Sequence, residues 1–338
     1  MIYKIKIGWF IFLGIITIGS VFLIDPYEQS GLEMLENESW LISKPKKGVA
    51  LVDGDGLYLS SSDAGKGTSI RQTVKSRGGF FQVRLSADIR SRDVVPGEKS
   101  WNKARLLLVQ YDGKSARYNV PHMVAGLEGT HDWEHYRGEF HIQPWATEFK
   151  VVAQLSRCTG SMEMKNIRLF PVVLSPVYIW AKRIIIGSWG MFFTFLLGSC
   201  MVKGRYGVQG IMVISFAAIL FGTMIPEELK TAVYGWVMDQ IQVLQMLSGD
   251  EGEWIIGKAG HFCFFAVFGL GMLMSGKSLA SVGANILMLA VGTELVQFFI
   301  EGRTPLVTDF FIDFSGGMAG LVLGCILAGI RRVGIRRV

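Results

Sequence analysis

Long apolar segments limit the folds open to this chain more than any other feature. A helix needs roughly 20 mostly apolar residues to cross a bilayer. Six windows of the sequence meet that requirement, at about 7–24, 180–201, 208–225, 258–276, 279–300 and 309–330. Hydrophobic residues make up 50% of the chain and charged residues 18%, a composition that is unusual for a soluble domain. We therefore predict an α-helical integral membrane protein with about six transmembrane helices, which excludes a wholly soluble enzyme.

The positive charges beside these windows indicate an orientation. They are Lys4, Lys6, Lys203, Arg205, Lys277, Arg331, Arg332, Arg336 and Arg337. Short cytoplasmic loops of membrane proteins are rich in lysine and arginine, and six spans with both termini in the cytoplasm place all of these residues on one side. Lys182 and Arg183, at the outer start of the second span, are the exception and are expected to reach the membrane interface. Nucleic acid is not expected as a partner, because these charges do not gather on one folded face with interleaved aromatic residues.

The windows also divide the chain into regions. Residues 1–25 are interpreted as a retained transmembrane anchor, because no small-residue cleavage pattern follows the apolar run. Residues 176–206 hold the second helix and a basic cytoplasmic loop. Residues 207–331 form a four-helix membrane domain, and residues 332–338 are a basic cytoplasmic tail.

Within the membrane domain, residues 226–256 predict an amphipathic helix on the outer membrane surface. Pro226 followed by two glutamates favours a helix start. Apolar residues then recur at helical spacing from Val233, and the helix is expected to end at about 247–249. A lid over a site below the segment is the alternative.

Residues 26–175 have the pattern of a β-sandwich inserted between the first two spans. Apolar and polar residues alternate strictly over 81–90, which is typical of a half-buried strand. Similar runs are found at 49–60, 67–75, 104–111, 134–142, 148–156 and 161–170. Several short antiparallel strands separated by turn residues predict a sandwich, which the topology above places outside the cytoplasm.

The second half of this region resembles the last strands of jelly-roll carbohydrate-binding modules. The resemblance covers residues 130–171, with a strand containing Trp133, Tyr136 and Phe140 and a final strand led by Gly160. It implies sugar binding through exposed aromatic rings, since a flat ring stacks on a pyranose face. The candidate rings are Trp101, Tyr111, Tyr118 and Trp145. Alternatively, Trp133 and Tyr136 belong to the core and the other aromatic residues only fill the sandwich.

The sequence contains no cofactor or metal motif. The four cysteines, Cys158, Cys200, Cys263 and Cys325, form no CxxC pair and are interpreted as inert small hydrophobic residues. There is no glycine-rich dinucleotide loop and no P-loop. We therefore expect no cofactor, no bound metal and no disulfide framework.

Polar residues gather at the predicted outer ends of the last three spans. Ionisable residues inside spans are costly and usually mark a functional site or tightly paired structure. These residues are Lys258, His261, Glu294, Gln297, Arg303, Asp309 and Asp313. Two such residues on the same span are three or four positions apart, so they share a helix face. The spacing Gly316, Gly320 and Gly324 further predicts a close approach of the last span to a neighbouring helix.

This set can be interpreted in two ways. As a ligand site, His261 and Glu294 would do acid and base chemistry, and Lys258 and Arg303 would hold an anion. Gln297, Asp309 and Asp313 would complete the binding site. As a structural feature, the same residues would form an ion-pair cluster that fixes the register of the helices.

The order and spacing of these residues resemble the VanZ-like family of bacterial membrane proteins. The pattern is Lys258-x-x-His261, then Glu294-x-x-Gln297, Arg303 and Asp309-x-x-x-Asp313, and it covers about 208–330. Two positions depart from the family, which often has Asp where this chain has Gly257 and usually has Asn where it has Asp313. The resemblance implies a location in the bacterial cell envelope. The founding member of the family is associated with resistance to a glycopeptide antibiotic.

These features together predict a protein of the bacterial inner membrane. It is expected to bind or process a glycan or a phosphate-bearing amphiphile, such as a lipid-linked saccharide, at the outer face. Membrane lipids and another envelope protein are candidate partners, and whether a reaction is catalysed stays open. One alternative is a non-enzymatic scaffold that anchors the sandwich. The other is a proton-coupled transporter or flippase that uses Glu294 and His261 as a relay.

Overall fold

A computed structural model describes residues 2–36, 40–43, 48–53, 56–76, 81–201, 206–240 and 250–335. The chain divides into two compact units. One unit is formed by residues 26–175, and the other by residues 1–25 together with 176–338. We call them the sandwich and the helical unit.

The sandwich consists of two six-stranded sheets. The strands are β1 (Tyr27–Gln29), β2 (Leu41–Ile42), β3 (Gly48–Asp53), β4 (Gly56–Ser61), β5 (Thr68–Lys75), β6 (Phe81–Val95), β7 (Ala104–Asp112), β8 (Ser115–Arg117), β9 (Met123–Leu127), β10 (Gly129–Ile142), β11 (Glu148–Leu155) and β12 (Thr159–Leu174). The first sheet has the order β10-β6-β12-β4-β3, with β1 beside β12. The second has the order β2-β5-β11-β7-β8, with β9 beside β7. All strand pairs are antiparallel.

Strict alternation of apolar residues builds the core between the two sheets. On β6 the side chains of Val83, Leu85, Ala87 and Ile89 are fully buried. On β11 the apolar positions from Phe149 onward alternate with partly exposed ones in the same way. Each such side chain contributes about 1.5–3 kcal/mol when it leaves water. The predicted β-sandwich is therefore confirmed.

The sequence missed the shortest strands and misjudged one aromatic residue. Strands of two to five residues, β1, β2, β8 and β9, are too short to show a period. Tyr136 packs partly against the core, as expected. Trp133 is not among the residues that pack against the core, and it lies at an irregularity in the register of β10 between His131 and Glu134. Its ring lies 4.8 Å from the guanidinium of Arg90 and 4.3 Å from Nζ of Lys165.

The helical unit contains seven described helices. They are α1 (Ile2–Leu23), α2 (Pro176–Gly198), α3 (Tyr206–Met224), α4 (Glu227–Gln240), α5 (Asp250–Met274), α6 (Leu279–Gln297) and α7 (Val307–Ile335). Five segments are long and apolar enough to cross a membrane: Tyr3–Leu23, Tyr206–Met224, Gly257–Met274, Leu279–Gln297 and Val307–Ala328. These five indicate a membrane protein.

The sequence predicts six spans, and five described segments are long and apolar enough to cross a membrane. Helix α2 accounts for the difference. It is 23 residues long, but Lys182 and Arg183 in its first half lower its hydropathy. The second half is well packed, since Trp189 and Phe192 are fully buried. The sixth span therefore stays a prediction, as do the positions of both termini.

The segment between α3 and α5 differs in part from the expectation. Helix α4 forms over Glu227–Gln240, where an amphipathic helix was predicted. Its expected end at about 247–249 lies outside the described residues. Helix α5 begins at Asp250, inside the segment expected on the outer surface, and the acidic residues at its start favour a helix N-terminus. Location on the membrane surface stays a prediction.

Glycines bring α7 against α5, as their spacing predicted. A Cβ atom at Gly316 would overlap the backbone of Phe262, and one at Gly320 would overlap the carbonyl group of Ala266. Without side chains at these positions the two backbones approach closely, which is how small residues act in membrane helix packing. This contact holds the start of α7 beside α5, where the predicted site residues lie.

Candidate functional site

Two ion pairs connect the start of α7 to α5. Nζ of Lys258 contacts Oδ1 of Asp309, and Nδ1 of His261 lies 3.2 Å from Oδ1 of Asp313. Residues three and four apart on each helix face the same neighbour, so the two pairs stack one turn apart. The spacing in the sequence predicted a shared face, and the close packing of α5 and α7 supplies the partners.

The His261–Asp313 pair combines a buried acid with a partly accessible base. Asp313 is fully buried, whereas the side chain of His261 is 22% exposed. Among the described residues, Oδ2 of Asp313 has no hydrogen-bond partner. Because Asp313 engages Nδ1, the other ring nitrogen, Nε2, is directed elsewhere. A Cβ atom on Gly222 of α3 would lie 3.6 Å from it, an ordinary contact distance, so Nε2 faces α3 at this glycine.

Glu294 lies near the C-terminal end of α6. One carboxylate oxygen, Oε2, accepts a hydrogen bond of 2.9 Å from the backbone N–H of Leu306. The other, Oε1, accepts a bond of 3.4 Å from Nε2 of Gln297. Both side chains are buried. Glu294 thus fixes the start of α7 and also interacts electrostatically with His261 and Asp313.

Arg303 donates hydrogen bonds to two backbone carbonyl groups at the end of α3. Its Nε donates to the carbonyl oxygen of Ile225 at 3.1 Å, and its Nη2 donates to that of Gly222 at 2.8 Å. The last carbonyl groups of a helix have no partner inside the helix. Arg303 therefore caps the C-terminus of α3 and ties the loop after α6 to it. Its predicted role in holding an anion stays a prediction.

The charges of this group, which we call the carboxylate cluster, nearly balance. Its six members are two cations, Lys258 and Arg303, one imidazole, His261, and three carboxylates, Glu294, Asp309 and Asp313. A single proton on the imidazole or on a carboxylate makes the sum zero. Unbalanced charge away from water is costly, and the near balance of these charges lowers that cost.

No arrangement in the described part of the chain suits a metal ion, since no group of three or more His, Cys, Asp and Glu side chains is placed to bind one. The described cysteines are free thiols. Burial raises the pKa of Cys158 to about 11, which keeps this thiol protonated and unreactive.

The four aromatic residues predicted for sugar binding do not form one surface. Tyr111 ends β7, and its carbonyl oxygen accepts a bond from the N–H of Thr147, which brings Trp145 to the same end of the sheet. Tyr118 follows β8, which pairs with that end of β7. Trp101 precedes β7 and so lies at the opposite end. Trp101, Tyr118 and Trp145 are exposed.

Tyr111 is the least accessible of these four rings. Nζ of Lys150 lies 4.0 Å from its centroid, and the residue is only partly exposed. A cation over one face leaves that face unavailable for stacking on a sugar. The role of all four residues in sugar binding stays a prediction.

Sequence reasoning missed two features of the helical unit. The first is the backbone contribution to the carboxylate cluster from Gly222, Ile225 and Leu306, which no side-chain pattern reveals. The second is the burial of Lys6, which the sequence suggested was a flanking cytoplasmic charge. It is 4% exposed and contacts Asn285 of α6. The polar residue Asn285 within an apolar span was the available signal.

Apolar helices and a convergent ionisable cluster define a membrane protein with a folded β-sandwich. Residues 219–328, less than half of the chain, match the VanZ/LLP1 family model. This match contains every residue of the carboxylate cluster and confirms the resemblance seen in the sequence. No curated protein sequence matches the chain.

The sandwich resembles carbohydrate-binding modules among solved structures. A structure described as CBM4 has 12% identity and a TM-score of 0.30, covering 40% of this chain and 88% of that one. The CBM22-1 xylan-binding domain of Paenibacillus barcinonensis Xyn10C has 11% identity and a TM-score of 0.30, covering 44% and 99%. The enzymatically active domain of bacteriophage CBA120 tailspike protein 4 has 10% identity and a TM-score of 0.31. That match covers 40% of this chain and only 20% of the tailspike.

Proposed function

We propose that the helical unit binds a phosphate- or glycan-bearing amphiphile at the outer face of the bacterial inner membrane and exchanges a proton with it. The observation that carries this proposal is the His261–Asp313 pair, in which a fully buried carboxylate supports a partly exposed imidazole. A ligand with an apolar tail and a polar head would place its head at the helix ends, where the cluster lies.

The proposed chemistry assigns a role to each part of the cluster. Asp313 orients His261 and stabilises the imidazolium form, as buried carboxylates do in acid–base pairs. Nε2 of His261, on the side of the ring that faces α3, then accepts a proton from the ligand or returns one to it. Lys258, whose side chain is 17% exposed, offers an ammonium group to a phosphate oxygen. Glu294 and Gln297, at the end of α6, hold the start of α7 in place beside the site.

The sandwich is proposed to recognise the glycan part of such a ligand or another envelope component. Support comes from the exposed rings of Tyr118 and Trp145, which lie toward the same end of the second sheet. In this proposal the sandwich is extracytoplasmic, so both recognition elements act on the same side of the membrane. Deleting residues 26–175 should abolish retention on a glycan column, and unchanged retention would remove this part of the proposal.

The central experiment compares the lipids that co-purify with the full-length protein by mass spectrometry. The test variants are Lys258→Gln and His261→Gln. The matched control is Cys263→Ser, which changes a neighbouring residue of α5 outside the cluster. We expect one phosphate- or glycan-bearing lipid to be depleted at least tenfold in both test variants and retained in the control. Identical lipid profiles in all folded variants would overturn the proposal.

A scaffold is the second candidate function, favoured by the bonds of Arg303 and Glu294 to backbone groups. A purely structural cluster loses thermal stability when Glu294 becomes Gln. A ligand site tolerates this change or gains stability, because a buried charge is removed. Thermal unfolding of Glu294→Gln in the presence and absence of the co-purifying lipid distinguishes the two functions.

A further inference from the structure

A second polar cluster lies at the other end of the helical unit. Nζ of Lys6 donates to Oδ1 of Asn285 at 2.8 Å and to Oγ of Ser199 at 3.1 Å. Nζ of Lys277 donates to the carbonyl oxygen of Ser199 at 2.8 Å. Two ammonium groups therefore converge on one serine, where the ends of α2 and α5 meet the starts of α1 and α6. We call these four residues the lysine cluster.

The lysine cluster carries positive charge without a matching acid. Over the stretches that the structure describes, no carboxylate forms an ion pair with Lys6 or Lys277. Lys6 and Asn285 are 4% and 0% exposed, so neither relies on bulk water. The amide nitrogen of Asn285 faces Cys200 Sγ at 3.5 Å, which supplies no charge. An ammonium group held away from water needs an anionic partner to offset its desolvation.

This cluster is separate from the carboxylate cluster. On α6, Asn285 and Glu294 are nine residues apart, which corresponds to roughly 13 Å along a helix. Between them, Ile286, Leu289 and Ala290 are fully buried apolar residues. The two clusters are therefore distinct sites at opposite ends of the same helices.

We propose that the lysine cluster binds the phosphate group of an anionic amphiphile in the membrane leaflet at that end. An ammonium group has three N–H donors. Lys6 directs two of them, and Lys277 one, to the described residues named above. The N–H groups that remain, one on Lys6 and two on Lys277, are donors of the kind that a phosphate oxygen accepts. Lys277 is half-buried, so a headgroup would enter beside it, and basic pockets between membrane helices are known to favour anionic headgroups.

The test measures the shift in Tm of the full-length protein in neutral detergent as ligand is added, because a ligand that binds the folded state raises the Tm. The probes are short-chain phosphatidylglycerol, inorganic phosphate, and a diacylglycerol of equal chain length without phosphate. The variants are Lys277→Met and Lys6→Met. The matched control is Lys4→Met, since Lys4 lies on the same helix end but is exposed.

We expect phosphatidylglycerol to raise the Tm, with at least tenfold weaker binding in Lys277→Met and unchanged binding in Lys4→Met. An equal effect of inorganic phosphate identifies a free phosphate site, whereas an effect of the lipid alone identifies a headgroup site. No shift with either phosphate probe overturns the proposal, and so does equal weakening by Lys4→Met or an equal effect of diacylglycerol. Since Lys277 is half-buried, its variant keeps the test decisive even if Lys6→Met does not fold.

Discussion

The sandwich and the helical unit place their charges in opposite ways. In the sandwich, ion pairs such as Arg84–Glu139 and Arg117–Asp112 keep part of their surface in water. The buried polar side chains among its described residues are uncharged. In the helical unit, many outward-facing side chains are apolar, and Lys6, Glu294 and Asp313 are buried. Charged side chains therefore lie at the surface of the sandwich, whereas several of them are buried in the helical unit.

The difference follows from the surroundings of each unit. A strand of the sandwich has water on one side, so its polar face needs no protein partner. An apolar helix offers no water to a charged side chain, and burial of that side chain requires a matching group from another helix. A single substitution should therefore act locally in the sandwich, and should disturb several helices in the helical unit.

The largest expected effect concerns the contact between α5 and α7. Gly320→Leu should abolish folding of the helical unit, because even a Cβ atom at this position would overlap the carbonyl group of Ala266. Overpacking typically costs about 1–3 kcal/mol and occasionally more, and a large cost is expected here because the overlap is with backbone rather than with a flexible side chain. The control is Gly187→Leu, since no atom lies within 4 Å of a Cβ at Gly187. Monodisperse protein in size-exclusion chromatography for both variants would contradict the close approach.

The next effect tests the core of the sandwich. Leu155→Ala removes a fully buried side chain from β11 and should lower the free energy of unfolding by about 2–5 kcal/mol. Leu32→Ala, at a side chain that is 88% exposed, should change it little. Chemical denaturation followed by tryptophan fluorescence gives both values. Equal losses would show that burial does not distinguish these positions.

A smaller effect tests whether Arg303 acts as a cap. Arg303→Lys keeps the charge but loses the two-pronged contact with the carbonyl groups of Gly222 and Ile225. We expect a loss of about 1.5–3 kcal/mol in the free energy of unfolding, visible as a lower Tm. Lys182→Arg serves as the reverse control outside the cluster. An unchanged Tm with lost lipid binding would instead support the role of Arg303 in holding an anion.

The smallest effect concerns a surface carboxylate of the sandwich. Hydrogen bonds from Asn166 and then His135 lower the pKa of Asp88. This stabilisation is present above the pKa of Asp88 in the unfolded chain and is lost as the pH falls through its lower, folded-state pKa. Asp88→Asn should remove it at a cost of about 0.2–1 kcal/mol at neutral pH. Unfolding curves of both proteins should converge in acid, and parallel curves at all pH values would refute the assignment.

The sequence predicted the helices and strands well where the hydrophobic pattern extends over enough residues to be recognised. Alternation over 81–90 revealed β6, and apolar length revealed five of the helices. It also identified Lys258, His261, Asp309 and Asp313 as one group. It gave no sign of the short strand β8, because three residues carry no period. It assigned Asp250 to the surface segment 226–256, although the acidic residues there are compatible with the helix start that the structure has.

Sequence alone determined which side chains need partners in this protein. The sequence shows charged residues within apolar windows and glycines at intervals of four. Both can be recognised without a structure, because the cost of burying a charge and the absence of a side chain at glycine are local properties. Tertiary structure decided which partners they have. It joined Lys6 to Asn285, directed Arg303 to backbone carbonyls and separated Trp101 from Tyr111. These outcomes depend on how helices and strands pack, and packing is a property of the whole fold that no local pattern contains.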